Sequence, residues 1–289
     1  MKIKKLISAL VLGSMLVGLS GCNITDFSAE NLLRPPKAVG DEAEIEQLIA
    51  KTADSGYTLK YPKNGKFRSA IIMTDLDGND SNEAVAFFRN SVETSSVHML
   101  VMYSKDNSWK IASDNIFETT DIDSVDFADL TGNGKAEIIV NSTTYTPNVG
   151  KLSCYSYSEG KTNEVGSGQS CSSFVTGDFD NDGTSEIMSL VLYTTENEAL
   201  ASMLDYNEDS KSLYAKAMAN MDPNVVKYKN IAVTKLDNDI TGIVVDGTSA
   251  NEVTNTQVIF YSRDLAILRN PLFKEKAKNI TRRASPVIC

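Results

Sequence analysis

The chain has 289 residues, of which 42% are hydrophobic and 23% charged, and its formal net charge is −10. The length allows one large domain or two small ones, and the composition is that of a globular protein able to bury a core. The acidic balance argues against nucleic acid as a partner, because its phosphates would be repelled. It suits divalent cations, although a solvated acidic surface would explain the charge equally well.

Residues 1–21 have the pattern of a secretory signal peptide. A short basic stretch, residues 1–5, precedes a run of apolar and small residues at 6–19. That run is shorter than the roughly 20 residues that a membrane-spanning helix needs. A basic start, a short apolar run and small residues before a break are typical of a segment that is removed after export.

The end of this segment carries a more specific signal. Leu19-Ser20-Gly21-Cys22 resembles the lipobox of bacterial lipoproteins, in which the cysteine is lipidated and becomes the N-terminus. The resemblance implies that Cys22 carries the lipid and that residues 22–40 form a lipidated tether. It also implies an extracytoplasmic protein held on the cell membrane, since two or three acyl chains bind firmly. The alternative is an ordinary signal peptide with a chance cysteine.

Two further cysteines, Cys154 and Cys171, flank a predicted hairpin. An exported protein meets an oxidising setting, so a local disulfide between them is plausible. The alternative is a pair of buried free thiols. The sequence has no Cys-x-x-Cys pair or Cys/His cluster that would indicate zinc.

Residues 41–65 are predicted to form an N-terminal helix and a lead-in to the main domain. Ile45, Leu48, Ile49 and Thr52 recur on one helical face, with acidic residues in the first turn. We expect a short amphipathic helix whose apolar stripe docks on the domain.

Internal repeats then dominate the chain. Four segments share one pattern, in which an apolar strand, an acidic turn and a second apolar strand follow one another. The turns, called loops one to four, lie at residues 75–83, 129–137, 178–186 and, in a decayed form, 235–242. A tyrosine ends the third strand of each repeat, 28 residues after the first aspartate of loops one to three. These tyrosines are Tyr103, Tyr157, Tyr206 and Tyr261.

A fourth apolar segment follows each tyrosine, so each repeat indicates four short antiparallel strands joined by turns. Four strands at this period are typical of a propeller blade. One blade cannot bury both of its faces, so neighbouring blades must stack. The sequence therefore predicts an all-β, β-propeller-like array of four-stranded blades over residues 66–268, preceded by a short helix.

The repeated Asp-x-Asp-x-Asn/Asp-Gly-x-x-Glu hairpins resemble the FG-GAP/VCBS repeats of integrin-α-like β-propellers. The resemblance covers about residues 66–268. Propellers of this kind commonly have seven blades, whereas four are visible here. Blades could pack as an open arc, a partner could complete them, or the chain is truncated. The basic, unpatterned tail at residues 269–289 favours truncation or an altered end.

The acidic loops carry the ligand pattern expected of a calcium site. Calcium takes about 6–8 oxygen ligands in flexible geometry. Each loop offers side-chain oxygens at positions 1, 3 and 5, a backbone carbonyl at position 7 and a carboxylate at position 9. The candidate ligands are Asp75, Asp77, Asn79, Ser81 and Glu83 in loop one, Asp129, Thr131, Asn133, Lys135 and Glu137 in loop two, and Asp178, Asp180, Asp182, Thr184 and Glu186 in loop three.

Loop three fits this pattern best, whereas the charge of Lys135 opposes binding in loop two. Position 6 needs a left-handed backbone, which Gly134, Gly183 or Asp80 can adopt. Asp-Gly and Asn-Gly pairs also make hairpin turns with no metal, so turn chemistry is the alternative. Where an ion binds, we expect structural calcium, because acids gathered in one loop repel each other.

The leading hypothesis is a surface-anchored lipoprotein that acts as a binding or scaffold module for an unidentified protein or polysaccharide. The alternative is a propeller-framed hydrolase or lyase acting on cell-envelope or extracellular polysaccharide. A third possibility is a structural partner within an envelope complex. No catalytic residue is predicted, since the one histidine, His98, has no Ser or Cys motif beside it. An enzyme is therefore the less favoured class.

Overall fold

The computed structural model describes residues 40–54, 56–193, 198–237 and 240–269. The predicted signal peptide, the lipid-attachment residue Cys22, nearly all of the tether and the tail after residue 269 lie outside the described residues. The sheets that follow belong to one compact unit, Glu44–Cys289.

Four antiparallel sheets follow one another along the chain, as the repeats predicted, and each is called a blade. Blade one contains β1 (Tyr57–Leu59), β2 (Ile71–Thr74), β3 (Glu83–Asn90), β4 (Val97–Lys105) and β5 (Ser108–Phe117). Blade two contains β6 (Ile122–Ala128), β7 (Glu137–Thr143), β8 (Gly150–Ser158) and β9 (Lys161–Cys171). Blade three contains β10 (Ser173–Gly177), β11 (Glu186–Tyr193), β12 (Glu198–Asn207) and β13 (Ser212–Asn220). Blade four contains β14 (Val225–Asp237), β15 (Ile240–Ser249), β16 (Thr254–Tyr261) and β17 (Leu265–Arg269). The prediction of an all-β array of propeller-like blades is confirmed.

The helix predicted before the blades is also present, as α1 (Asp41–Ala53). Its buried residues Ile45, Ile49 and Ala53 recur on one face and pack against Phe88 and Leu100 of blade one. The helix thus covers an apolar sheet face that would otherwise meet water. Within the described ranges, no helix has the length and apolar character needed to cross a membrane.

The first strand of blade one is interrupted. β1 and β2 both pair with β3 on the same side, through Leu59↔Phe88 and Thr74↔Glu83. The lead-in, expected to lie before the repeats, therefore contributes β1 to blade one. A three-residue strand is too short to show an alternating pattern, which explains why the sequence did not reveal it.

The blades are held together face to face. Successive side chains of a strand point to opposite faces, so each sheet has two apolar faces. Four buried clusters result, between α1 and blade one and between each pair of consecutive blades. In blade three, for example, Ile187 faces blade two, whereas Met188 faces blade four.

The tyrosines that mark the repeats lie in the third strands, as predicted, but they do not all share one register. Tyr157, Tyr206 and Tyr261 pack toward the preceding blade. In blades two to four, the residue two before the tyrosine pairs with the second-strand position that corresponds to Ala84. In blade one, Ala84 pairs instead with Met102, which directly precedes Tyr103, so Tyr103 is shifted by one residue. Tyr103 therefore faces blade two, and its ring centroid lies 6.5 Å from that of Tyr157.

The predicted disulfide is not formed. Cys154 and Cys171 are buried free thiols, and burial raises the pKa of Cys171 to about 12. In the pairing of β8 with β9, Cys171 lies opposite Gly150 and Cys154 opposite Gly166. The two cysteines are thus separated by roughly 13 Å along the strands, whereas bridged cysteines have Cα atoms within about 7 Å.

Candidate functional site

Loops one, two and three each join the first and second strands of a blade, and they lie side by side. The backbone N–H of Ala136 in loop two donates to the carbonyl of Leu76 in loop one across 3.0 Å. The N–H of Ser185 in loop three donates to the carbonyl of Asp129 in loop two across 2.9 Å. The three acidic loops therefore form one contiguous row at the same end of consecutive blades.

A buried glutamate closes each loop. The Oε2 atom of the position-9 glutamate accepts the backbone N–H of position 2 across 2.8 Å in all three loops. Position 2 is a buried apolar side chain in each case. The pairs are Glu83 with Leu76, Glu137 with Leu130, and Glu186 with Phe179. The loop pattern predicted only a metal-binding role for these glutamates. The signal for the closure is the apolar residue at position 2.

The remaining loop backbone is folded by side-chain oxygens. In loop two, Asp129 at position 1 accepts the N–H groups of Asn133 and Gly134 across 3.1 and 2.7 Å. The Oδ1 atom of Asn133 in turn accepts the N–H of Lys135 across 2.8 Å. Loops one and three contain the same bonds. Local hydrogen bonds to side-chain oxygens thus contribute to the shape of the loops, as expected of side chains of this type in turns.

Two positions in each loop have a left-handed backbone. Position 6 was predicted to do so, and this is confirmed for Asp80, Gly134 and Gly183. Position 4 was not predicted, although the sequence places residues that tolerate positive φ there: Gly78, Gly132 and Asn181. At Gly132 a β-carbon would also lie 2.6 Å from Cγ2 of Thr184 in the next loop. Glycine is therefore needed both for the turn and for the close approach of neighbouring loops.

Loops one and three bring carboxylates within reach of a single ion. In each of these loops, one ligand oxygen per acidic residue can be chosen so that all lie within 4.8 Å of one another. The groups are Asp75, Asp77 and Glu83 in loop one, and Asp178, Asp180, Asp182 and Glu186 in loop three. These acidic groups could hold a metal ion.

Each of these two loops also has a buried carboxylate oxygen without a hydrogen-bond partner in the described chain. The atoms are Oδ1 of Asp77 in loop one and Oε1 of Glu186 in loop three. An unsatisfied buried polar atom costs about 1–3 kcal/mol, and more if it is charged. A cation placed between the carboxylates would remove that cost, so the donor set fits a hard metal ion.

Loop two differs because it satisfies its own glutamate. Thr131 stands where loops one and three have aspartate, and its hydroxyl donates to Oε1 of Glu137 across 3.3 Å. The other oxygen of Glu137 accepts the N–H of Leu130. Both oxygens are therefore engaged within the loop. Loop two has only Asp129 and Glu137 as acidic residues, whereas loops one and three each bring at least three acidic residues together.

Loop three already has a cation beside it. The Lys216 ammonium of β13 donates to the carboxylate of Asp180 and, across 2.8 Å, to that of Asp205. Burial alone would lower the pKa of Lys216, but these two bonds raise it, so the side chain stays charged. Lys216 lies at a β-bulge in the pairing of β12 with β13, and Val165 occupies the corresponding bulge in blade two. The lysine is distant in sequence from Asp180, so the spacing of loop residues gave no signal for it.

Loop four has lost the features of the other three. β14 extends to Asp237, which pairs with Ile240, so the turn between the strands is short. Gly242 stands where the other loops have the buried glutamate. A β-carbon there would lie 2.6 Å from the carbonyl oxygen of Ile259 and 2.8 Å from Cδ1 of Leu236. A glutamate therefore does not fit, which accounts for the decayed motif.

Burial raises the pKa of all three position-9 glutamates. For Glu186 it raises the pKa to about 8, although the N–H of Phe179 acts in the opposite direction. The negative charges of Asp180 and Asp182 raise it further. With no cation bound, Glu186 thus tends to hold a proton at neutral pH.

A surface cavity of about 640 Å³ lies at the other end of the blades. Its lining comes from near the starts of β6, β10 and β14, from the turn between β7 and β8, and from residues 63–65. Loops two and three follow the ends of β6 and β10, so the cavity and the acidic loops are at opposite ends. The sequence gave no sign of the cavity, because its lining comes from separate segments that share no motif.

No protein-family model matches the chain, and no curated protein matches it at a significant level. The likeness of the hairpins to FG-GAP/VCBS repeats therefore stays a prediction from the residues themselves.

The raised pKa of Glu186 predicts a stability that depends on pH when divalent ions are removed by a chelator. Below the ordinary pKa of 4.5, the carboxyl is protonated in both the folded and the unfolded chain. As pH rises toward about 8, the unfolded chain loses this proton more readily, so the folded state is progressively destabilised. We expect Tm to fall between about pH 5 and 8, and Glu186→Gln to reduce that fall while keeping an acceptor for Phe179.

Thermal unfolding followed by circular dichroism measures this effect. Glu208→Gln, at an exposed glutamate after β12, is the matched control and should keep the wild-type pH profile. The pKa values of Glu83 and Glu137 are also raised, so part of the pH dependence of Tm remains in the variant. If the Tm of Glu186→Gln depended on pH just as that of wild type does, the raised pKa of Glu186 would be contradicted.

Proposed function

We propose that the chain is an extracytoplasmic lipoprotein that acts as a binding module, with repeats of the FG-GAP/VCBS type and structural calcium in loops one and three. The lipobox-like sequence ending at Cys22 supports the anchor. The observation that carries the binding role is the polar cavity at the end of the blades away from the acidic loops. A cavity of this size lies within the roughly 300–1,000 Å³ typical of ligand sites.

Calcium is the ion that best suits loops one and three. Their candidate ligands are carboxylate, amide and carbonyl oxygens on a turn, and calcium accepts many oxygens in flexible geometry. The partnerless Asp77 Oδ1 and Glu186 Oε1 supply the reason for an ion to bind. Local hydrogen bonds also hold these loops, and a bound ion would add to the stability of the row.

The enzyme alternative is less well supported. Retaining and inverting glycosidases use a pair of carboxylates, whereas Asp123 is the one carboxylate among the described residues lining the cavity. Asp123 is itself held by Asn64 and Ser124 across 2.8 and 3.0 Å. His98 packs on Phe88 and bonds to Asp114, which is a structural arrangement inside blade one. A hydrolase or lyase acting on polysaccharide would show itself by new reducing or unsaturated ends, which a binding module does not produce.

Calcium is expected to raise Tm. Extracellular modules bind calcium with Kd of about 10⁻⁴–10⁻³ M, and an ion at 100 times Kd stabilises by about 2.7 kcal/mol per site. This corresponds to roughly 5–10 °C for a domain of this size. Asp77→Asn and Glu186→Gln should each reduce the rise, and the double variant should abolish most of it. Thermal unfolding in calcium and in chelator measures it, with Asp209→Asn as an exposed control. Equal melting curves for wild type in the two buffers would reject calcium.

Lys216 is expected to compete with calcium for loop three. Its ammonium contacts Asp180, a candidate ligand. An ion bound there therefore gains less electrostatic stabilisation than the number of acidic residues suggests. Lys216→Met should destabilise the calcium-free chain, because it leaves Asp180 and Asp205 without their cation. It should strengthen calcium binding at loop three by about tenfold, or about 1.4 kcal/mol, because no ammonium then competes for Asp180. Calorimetric titration measures it, with exposed Lys211→Met as the control. Weaker binding in Lys216→Met would show that the lysine supports the site.

The anchor and the binding role are tested together on intact cells. Wild type should incorporate a labelled fatty acid, remain with the envelope and be captured by chemical cross-linking with an envelope component. Cys22→Ser should lose the label, whereas Cys289→Ser, at the other end of the chain, should keep it. A wild-type chain that takes up no label disproves the anchor, and one that forms no cross-link to any envelope component disproves the binding role.

A further inference from the structure

The cavity at the end of the blades is basic, although the chain as a whole is acidic. Lys63, Lys227 and Lys229 line it, and Asp123 is the one acid in the described lining. The net charge of the chain is −10, so the charge of the cavity lining is opposite in sign to that of the chain as a whole. Lys227 and Lys229 are exposed and form no ion pair within the described chain. Two cations thus stand at the cavity without an acidic partner among the described residues, which suits an anionic ligand.

The rest of the lining is rich in hydroxyl and carboxamide groups. Thr146 and Asn148, in the turn between β7 and β8, have side chains without a hydrogen bond in the described chain. Asn141 is buried, and its Oδ1 has no partner among the described residues. A β-carbon at Gly150 would lie 2.3 Å from that oxygen, so glycine is needed there to accommodate the Asn141 side chain. Groups that both donate and accept match a ligand made of many hydroxyls.

Aromatic rings accompany these polar groups. Phe174 lines the cavity. Tyr145 does not line the cavity itself but lies between the lining residues Thr144 and Thr146, and 96% of its surface is exposed. A tyrosine this exposed contributes nothing to the core, whereas a ring with one apolar face and a polar end is suited to contact a ligand.

We propose that this cavity binds an acidic saccharide, such as a uronate-containing segment of an envelope or extracellular polysaccharide. The assignment rests on the proposed function of the chain as a binding module and names its ligand class. Lys227 and Lys229 pair with the carboxylates of the sugar, while Thr146 and Asn148 bond to its hydroxyls. An acidic peptide would use the lysines but would leave most of these hydroxyl and amide groups without a matching partner.

Calorimetric titration of the lipidated full chain in detergent micelles tests the proposal, with polygalacturonate as the probe. We expect binding that weakens as salt is added, because exposed charges are screened, and no comparable binding of neutral dextran or poly-glutamate. Lys227→Gln combined with Lys229→Gln should weaken binding about tenfold. The control, Lys161→Gln combined with Lys211→Gln, removes two exposed lysines and should bind as wild type does; Lys161 begins β9, and Lys211 lies in the turn before β13.

Tyr145→Ala provides a second test that does not depend on charge. Because Tyr145 is exposed, its replacement should leave Tm unchanged, yet it should weaken polygalacturonate binding about fivefold. Tyr145→Phe should restore most of the affinity.

Three results would overturn the proposal: no binding of polygalacturonate, equally tight binding of dextran or poly-glutamate, or full affinity in the Lys227/Lys229 double variant. These outcomes are separable from failure of the proposed function. If wild type still cross-links to an envelope component on intact cells, the binding role stands and the saccharide assignment alone falls. If it cross-links to none and binds no probe, both fall.

Discussion

A hydrogen bond from a buried backbone N–H to a buried glutamate fixes the end of each of the first three blades. The glutamate at the start of the second strand accepts the N–H of the residue that follows the loop's first aspartate, across 2.8 Å. An apolar side chain is buried at that same residue, so packing and hydrogen bonding determine one backbone path. The carboxylates then face one another at short range. The metal-binding potential of the loops follows from a constraint that first of all closes a turn.

The same constraint is met differently in each blade, and the loops differ in charge and hydrogen bonding. Loop two replaces an aspartate with Thr131, whose hydroxyl satisfies the glutamate internally. Loop three sets Lys216 against Asp180, so a fixed cation offsets part of the charge. Blade four has Gly242 in place of the glutamate and has a short turn. Repeats that resemble each other in sequence are therefore unequal in what they can bind.

Periodic features of the sequence predicted the periodic features of the fold. The apolar strands, the acidic turns and the α1 stripe with Ile45 and Ile49 were all visible, because alternation and helical spacing follow directly from backbone geometry. What could not be predicted depends on contacts between distant segments. Lys216 reaches loop three from another strand, β1 is too short to show a pattern, and the shifted register of Tyr103 depends on pairing across β3 and β4. The cavity is of this kind as well.

The interruption between β1 and β2 has a mechanical meaning. Residues in this gap cross to blade two, where the N–H groups of Lys63 and Asn64 donate to the carbonyls of Ile122 and Asp123, and Lys60 pairs with Asp121. The gap segment is thus a strap between two sheets. Tension applied to the N-terminal end of the chain would enter through α1 and the short β1 before it reached this strap. Blades one and two could not part without also breaking the backbone hydrogen bonds of this strap and the ion pair of Lys60 with Asp121.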